Sequence, residues 1–420
     1  MCNYTPLKCV TKRTLKSQIL CVMKSVKSLV YVLGLFIFLF TSCKKENKDD
    51  SGGAPAPTPY EFKIPQGFPT DLNIPQDNPL TVEGVKLGRY LFYDGRMSGR
   101  DEPDSLMSCS TCHLQKYAFD VGEDNPRFPG GHPFGLTHIY TPHVPLPLFN
   151  LVWNNEGYLW NGFISKDNNN LGIPSYGIPA EPQYNLKNIE SLVWMGIVAK
   201  HEMHGSIDKT VKMIRSIDIY PPMFKAAFGS EEINIDRISK AIAQFVRTII
   251  SHDSKFDKVL RGEANFTDSE RRGLVLFTTE AGADCFHCHG APGNPLMTTN
   301  LFYNNAKDTV FDDPRDRYHV THDPKDHGAY RAPTLRNIEL TGPYMHDGRF
   351  KTLDDVINFY SEGLVYSKYV NPLMHKVFPP YGHGAALNPQ QKADLKAFLL
   401  TLTDNTLLTN KEYSNPFKTK

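Results

Sequence analysis

Cys109-Ser110-Thr111-Cys112-His113 and Cys285-Phe286-His287-Cys288-His289 repeat one arrangement: two cysteines three positions apart, with a histidine directly after the second. This spacing is the attachment signature of c-type haem. Each thiol can add to one vinyl group of the porphyrin as a thioether, and the histidine is then held beneath the ring as the proximal iron ligand. Paired cysteines also build disulfides, thioredoxin-type redox centres and zinc sites. Neither pair lies in a βαβ-like pattern, the pairs are far apart for a zinc ribbon, and none of those alternatives needs the histidine that follows both. The expectation is two covalently bound haems, attached at Cys109, Cys112, Cys285 and Cys288 and ligated by His113 and His289.

The chain has eight cysteines, and the other four, Cys2, Cys9, Cys21 and Cys43, are all N-terminal. Lys12, Arg13, Lys16, Lys24 and Lys27 precede an apolar run over 29–40 that meets Thr41-Ser42-Cys43. That pattern reads as a signal peptide over 1–42 with a lipoprotein-type cleavage site, Cys43 being the lipid attachment residue. The run is shorter than the roughly 20 apolar residues of a membrane span, which weighs against a permanent signal anchor. Met23 is a second candidate start, from which Cys43 closes a signal of ordinary length. Residues 43–60 are polar and then rich in Pro and Gly, the composition of a flexible tether. The chain is thus expected to be an exported lipoprotein, periplasmic or at the cell surface, anchored to the membrane through Cys43.

Beyond the tether lie about 350 residues, enough for two domains of typical size. The formal net charge of +1 gives no indication of nucleic-acid binding. Similar phrases precede each pentad: Gly84-Val85-Lys86-Leu87-Gly88-Arg89-Tyr90-Leu91-Phe92 and Glu270-Arg271-Arg272-Gly273-Leu274-Val275-Leu276-Phe277. A second echo follows each, with Asn150 leading to Trp160-Asn161-Gly162 and Asn337 to His346-Asp347-Gly348. The fold expected is mainly α, with two cytochrome c-like haem domains related by duplication, over 80–255 and 260–405. Helical periods run over 186–198, 207–217, 235–250, 353–360 and 390–402, and Thr267-Asp268-Ser269-Glu270 is a capping-box start. Long irregular loops over 123–185 and 291–334 need a large group to organise them, and haem is one.

Both pentads, the stretch Arg331-Ala332-Pro333-Thr334-Leu335-Arg336-Asn337-Ile338-Glu339-Leu340-Thr341-Gly342-Pro343-Tyr344-Met345-His346-Asp347-Gly348-Arg349-Phe350 and the closing Asp394-Leu395-Lys396-Ala397-Phe398-Leu399 together resemble the bacterial di-haem cytochrome c peroxidases and their MauG-type relatives. The resemblance implies that hydrogen peroxide is reduced to water at the N-terminal haem, with electrons passed on by the C-terminal haem. It assigns Trp160 to the tryptophan between the two haems and Glu202 to the distal-pocket glutamate, which would shuttle a proton as the O–O bond breaks. Leu192 stands where the family has a glutamine, with His201 and His204 flanking Glu202 as candidate donors. Tyr360, 19 positions after Thr341, stands where the peroxidases carry a methionine ligand to the second iron and MauG-type enzymes a tyrosine; Met345 and Met374 are the alternative ligands. A phenolate would favour ferric iron and lower the potential.

A distal histidine on the first haem would come from His132, His138 or His143; an open, five-coordinate haem is the other reading. The family's bridging calcium is bound partly by an asparagine where His143 stands and by carbonyls near Thr341 and Pro343, so an imidazole there disfavours calcium. The partners expected are hydrogen peroxide, a small redox protein or quinol-linked electron donor, and a second copy of the chain in a homodimer. Two other activities fit the same residues. One is a MauG-type oxidation of a protein or organic substrate; the other is electron carriage without peroxide chemistry.

Overall fold

Asp268–Phe277 is helical and begins where its capping signal lies. In the computed structural model, which describes residues 55–164, 188–291 and 293–418, the Thr267 hydroxyl accepts from the Glu270 amide at 3.3 Å and the Glu270 carboxylate accepts from the Thr267 amide at 2.7 Å. The other periodic segments form Asn188–Val198, Ile207–Arg215, Ile235–Arg247, Leu353–Glu362 and Pro389–Leu400. The phrase before the first pentad is the helix Val82–Tyr93, capped by Thr81. The helix Tyr220–Phe228 lay outside the periodic segments, because Pro221 and Pro222 resemble breakers. Both prolines sit in the first turn, where a missing N–H leaves no bond unmade. Among the described residues the only paired strands are Phe302–Tyr303 and Tyr330–Arg331, so the fold is mainly helical.

Residues 54–420 form one compact unit containing two large apolar clusters. In the first, Val82–Tyr93, Asn188–Val198, Tyr220–Phe228 and Ile235–Arg247 bury Leu87, Leu91, Phe92, Trp194, Phe224 and Phe245 together. In the second, Asp268–Phe277, Leu353–Glu362 and Pro389–Leu400 close around Phe256, Phe277, Ile357, Phe398 and Leu402. One device serves both. A Cβ on Gly88 would stand 1.9 Å from the Ala241 carbonyl oxygen, and one on Gly273 would stand 2.0 Å from that of Asp394. Glycine therefore lets two helix backbones touch in each half, and the phenylalanine four positions on, Phe92 or Phe277, is buried beside the contact.

The second echo folds alike as well. Tyr158 bridges Ile164 around Trp160, and Tyr344 bridges Phe350 around His346. Leu159 and Met345 take φ of 65° and 69°, and Asn150 and Asn337 both take 57°. Asn150 and Asn337 meet at Ser251 in the connection between the two halves: the Asn150 amide donates to the Ser251 carbonyl at 3.0 Å and the Asn337 amide to its hydroxyl at 3.1 Å. Two fully buried arginines brace this region. Arg247 is bidentate to Glu190 at 2.7 and 2.9 Å, and Arg336 grips both oxygens of Asp257.

Two boundaries differ from expectation. The tether over 43–60 is already docked at its end, where the Thr58 amide donates to Glu83 at 2.8 Å and the Tyr60 amide to the Leu80 carbonyl at 3.0 Å. The segment beyond 405 returns to the first half. Leu407 joins the first cluster, Arg89 donates to the Ser414 carbonyl at 2.7 Å, and Gln115 donates to the carbonyls of Leu407 and Asn410. Such a polar tail has too few apolar residues for a period to reveal it. The signal segment 1–42 and Cys43 lie outside the described residues. Among the described residues no helix is long and apolar enough to cross a membrane.

Candidate haem sites

Each pentad sits on a single helical turn, Cys109–Cys112 and Phe286–His289, with His113 and His289 at its C-terminal end. A turn that short brings both thiols and the imidazole to one wall, and all four cysteines are unpaired. Burial pushes the thiols of Cys109, Cys285 and Cys288 up to about 12. Among the described residues the one grouping of three metal-ligating side chains is His143, Asp313 and His346. It includes neither pentad.

The imidazoles of His113 and His289 are fixed by the backbone. His113 Nδ1 lies 2.9 Å from the Phe119 carbonyl and His289 Nδ1 lies 3.0 Å from that of Pro333. A carbonyl can only accept, so Nδ1 carries the proton and Nε2 keeps its lone pair for a metal. Burial brings both imidazoles down to about 4, leaving them neutral near pH 7.

The first pentad opens on a cavity of about 270 Å³, lined by Cys109, Cys112, His113, Phe149, Val193 and Ile242, with Glu202 and His201 among its polar residues. Glu202 follows the helix Asn188–Val198, in a turn where its amide donates to the Ala199 carbonyl at 3.0 Å. Gly196 makes room for it, since a Cβ there would approach Glu202 Oε2 to 3.0 Å. Burial raises the carboxyl to about 7. Its side chain is 42% accessible, but the space it faces is the cavity rather than bulk water. His201 Nε2 is 4.0 Å from Glu202 Oε1, beyond hydrogen-bond reach. Burial and, secondarily, Arg315 bring its imidazole down to about 4. Leu192 lines the same cavity.

The second pentad opens on a cavity of about 180 Å³ that holds all three candidate sixth ligands, Tyr360, Met345 and Met374. The Asn305 amide reaches Tyr360 Oη at 3.1 Å and Met345 Sδ at 3.5 Å. Burial pushes the Tyr360 phenol well above its usual range, partly opposed by that hydrogen bond. The two cavities are therefore unequal: a carboxyl near neutrality faces the first, a phenol and two thioethers the second.

Trp160, Arg331 and Pro333 line both cavities. Trp160 Nε1 donates to the Val144 carbonyl at 2.8 Å, and its ring centroid is 6.4 Å from that of His346. His346 stacks on Tyr330 at 3.6 Å, and His143 Nε2 lies 2.7 Å from Asp313 Oδ2. Of the candidate distal histidines only His143 lines the first cavity. His132 is turned to the Thr141 carbonyl at 2.7 Å, and His138 and His204 are exposed. Sequence reasoning did not single out Asn305, Asp313 or Arg331 as site residues. Arg331 stood in the most specific stretch of the chain, but its position at the shared wall is a product of folding.

Paired thiols, a carbonyl-anchored imidazole with a free Nε2 and an apolar cavity, present twice, fit two haem groups by the chemistry of their donors. A mainly helical chain with two such sites is a di-haem c-type protein. The comparisons narrow this. Residues 82–265 match the model of the di-haem cytochrome c peroxidase family. The chain is 32% identical to the cytochrome c551 peroxidase of Nitrosomonas europaea, over 66% of this chain and 73% of the relative. It is 29% identical to the methylamine utilization protein MauG of Methylorubrum extorquens, over 81% and 83%. The crystal structure of a MauG-like protein associated with microbial copper homeostasis superposes with a TM-score of 0.68 at 32% identity, covering 86% of this chain and all of that one. The chain belongs to the di-haem cytochrome c peroxidase and MauG family, and it is an enzyme of the oxidoreductase class.

Proposed function

We propose that the chain reduces hydrogen peroxide to water at the cavity of His113, with electrons arriving from the side of His289. The observation that carries this reading is Glu202, a carboxyl raised to about 7 and facing the first cavity. Haem held there supplies the iron at which the O–O bond of peroxide is cleaved. The chain supplies the rest. His113 and His289 each offer Nε2 to a metal while their backbone partners fix the rings. Glu202 takes a proton from one peroxide oxygen and returns it to the other, so that peroxide, two protons and two electrons give two waters. The apolar lining, Leu192 included, keeps bulk water from that exchange. Trp160, walling both cavities, provides an aromatic path between them.

Tyr360 supports a second reading, in which oxidising equivalents pass outward to a protein or organic substrate as in MauG-type enzymes. A tyrosine ligand held by Asn305 would lower the potential of the second haem and suit it to sharing oxidation rather than delivering electrons. In either case the matching turns and glycine contacts of the two halves support two haem domains that arose by duplication, and the sequence of 1–60 supports export and lipid anchoring at Cys43. The electron source is a small redox protein or quinol-linked donor. The cluster of His143, Asp313 and His346 offers two imidazoles and a single carboxylate, a donor set poor in the oxygens calcium prefers.

Stopped-flow absorption of the fully oxidised two-haem protein mixed with peroxide separates the readings. No spectral change until one haem is reduced supports the peroxidase. An immediate change at both haems supports the MauG-type reading. Two haems that never respond to peroxide, in either oxidation state, leave only an electron carrier and refute both.

A further inference from the structure

The second cavity holds more candidate ligands than one face of an iron can use. Tyr360, Met345 and Met374 all line it, and a single side chain touches two of them. Asn305 Nδ2 lies 3.1 Å from Tyr360 Oη and 3.5 Å from Met345 Sδ. A thioether sulfur has no proton to give, so the contact with Met345 identifies the Asn305 atom there as the amide nitrogen, with one hydrogen for each acceptor. Asn305, Tyr360 and Met345 each keep part of their surface accessible, and all three line the cavity.

Asn305 is anchored from both sides. The Asn304 side chain accepts from the Ala306 amide at 3.1 Å and donates to the His327 carbonyl at 2.8 Å. The Asn371 amide donates to the Asn304 carbonyl at 3.2 Å, and the Val365 amide to the Ala306 carbonyl at 2.8 Å. The two acceptors are anchored independently. Tyr360 stands in the last turn of the helix Leu353–Glu362, its carbonyl accepting from the Ala385 amide at 3.0 Å. Met345 takes its φ of 69° inside the turn closed by the Tyr344–Phe350 bridge. None of these bonds involves the Asn305 side chain, so its amide acts on a choice between ligands that other segments have already brought together.

The two bonds differ in what happens to them when a ligand binds iron. A phenol gives up its proton to water as its oxygen binds, and a hydrogen bond to an oxygen that has become anionic is roughly twice as strong as one to a neutral group. A thioether is a weak acceptor from the start and gains no charge on binding. We propose that Asn305 is the positioning residue that selects Tyr360, over Met345 and Met374, as the sixth ligand of the second haem. This rests on the reading that a haem fills the cavity and draws its sixth ligand from these three side chains. Because a phenolate lowers the potential of the iron and a thioether raises it, Asn305 also sets which of the two activities proposed above the second haem serves.

The test compares the oxidised two-haem protein, wild type, Asn305→Leu and Asn305→Gln, by near-infrared magnetic circular dichroism and by spectroelectrochemical titration. Haem content by pyridine haemochrome is measured first. Asn305→Leu keeps the size of the side chain and removes the donor. It should replace the tyrosinate charge-transfer bands of the C-terminal haem with those of a methionine ligand. The midpoint of that haem should rise by at least a tenfold change in its reduction equilibrium, about 59 mV for a one-electron couple. Asn305→Gln, which retains the amide, should keep tyrosinate bands, and the N-terminal haem should be unchanged in both variants. Tyrosinate bands and an unmoved midpoint in Asn305→Leu overturn the proposal while leaving Tyr360 as the ligand. A wild type without tyrosinate bands overturns the ligand reading and the proposal together. Should Asn305→Leu fail to take up two haems, Asn305→Asp, of the same shape and without a donor, takes its place with the same expected exchange and the same refuting result.

Discussion

Replacing Glu202 with glutamine keeps the shape of the side chain and removes its proton exchange. The backbone around it is held by bonds the substitution does not touch: the Glu202 amide to the Ala199 carbonyl at 3.0 Å, and the Glu202 carbonyl to the Leu136 amide at 2.9 Å. The fold and both haems should therefore survive. A carboxyl at about 7 is ionised in about one tenth of molecules at pH 6, half at pH 7 and nine tenths at pH 8. Since the ionised form takes the first proton from peroxide, kcat/KM of the wild type should rise with pH through about 7 and level off above it. Glu202→Gln should lose roughly 10²–10⁴-fold, the usual contribution of a placed acid/base, and its profile should flatten. The assay is the initial rate of peroxide consumption by the two-haem protein under saturating reductant, from about pH 6 to pH 8, beside its haem spectrum. A Glu202→Gln protein with the wild-type rate, or with an unchanged inflection near neutrality, would refute the reasoning.

Tyr360→Met should raise the midpoint potential of the C-terminal haem by about 0.1 V or more, within the roughly 0.8 V that axial ligands span; an unchanged potential and spectrum would remove Tyr360 as ligand. Gly88→Ala forces a methyl against the Ala241 carbonyl, with 1.9 Å available and no rotamer to relieve it. Unfolding followed by far-UV circular dichroism should show a loss of about 1–3 kcal/mol, the range for overpacking, and an unmoved midpoint would contradict the helix contact described above.

Much of the frame was legible because its signals are local. Thr267 and Glu270 specify a helix start within one turn, and the apolar period of 235–250 announced a helix that ends only at Arg247. The repeated Gly-x-x-x-Phe phrases were visible, but that Gly88 and Gly273 bring backbones into contact depends on partners about 150 and 120 residues away. The C-terminal tail failed to announce itself for a related reason. Its anchoring relies on side chains such as Arg89 and Gln115 reaching its carbonyls, and carbonyls leave no mark in a sequence.

The same division holds for the sites. The spacing of Cys109, Cys112, His113, Cys285, Cys288 and His289 by itself marked two candidate haem-attachment sites, since the chemistry of attachment lies within five consecutive residues. Only the tertiary structure decided that Phe119 and Pro333 orient the two imidazoles, that Glu202 and Tyr360 face different cavities, and that Trp160 and Arg331 stand in the wall between them. A proton affinity or an unmet charge is set by what surrounds a group after folding, and those surroundings are assembled from segments far apart along the chain.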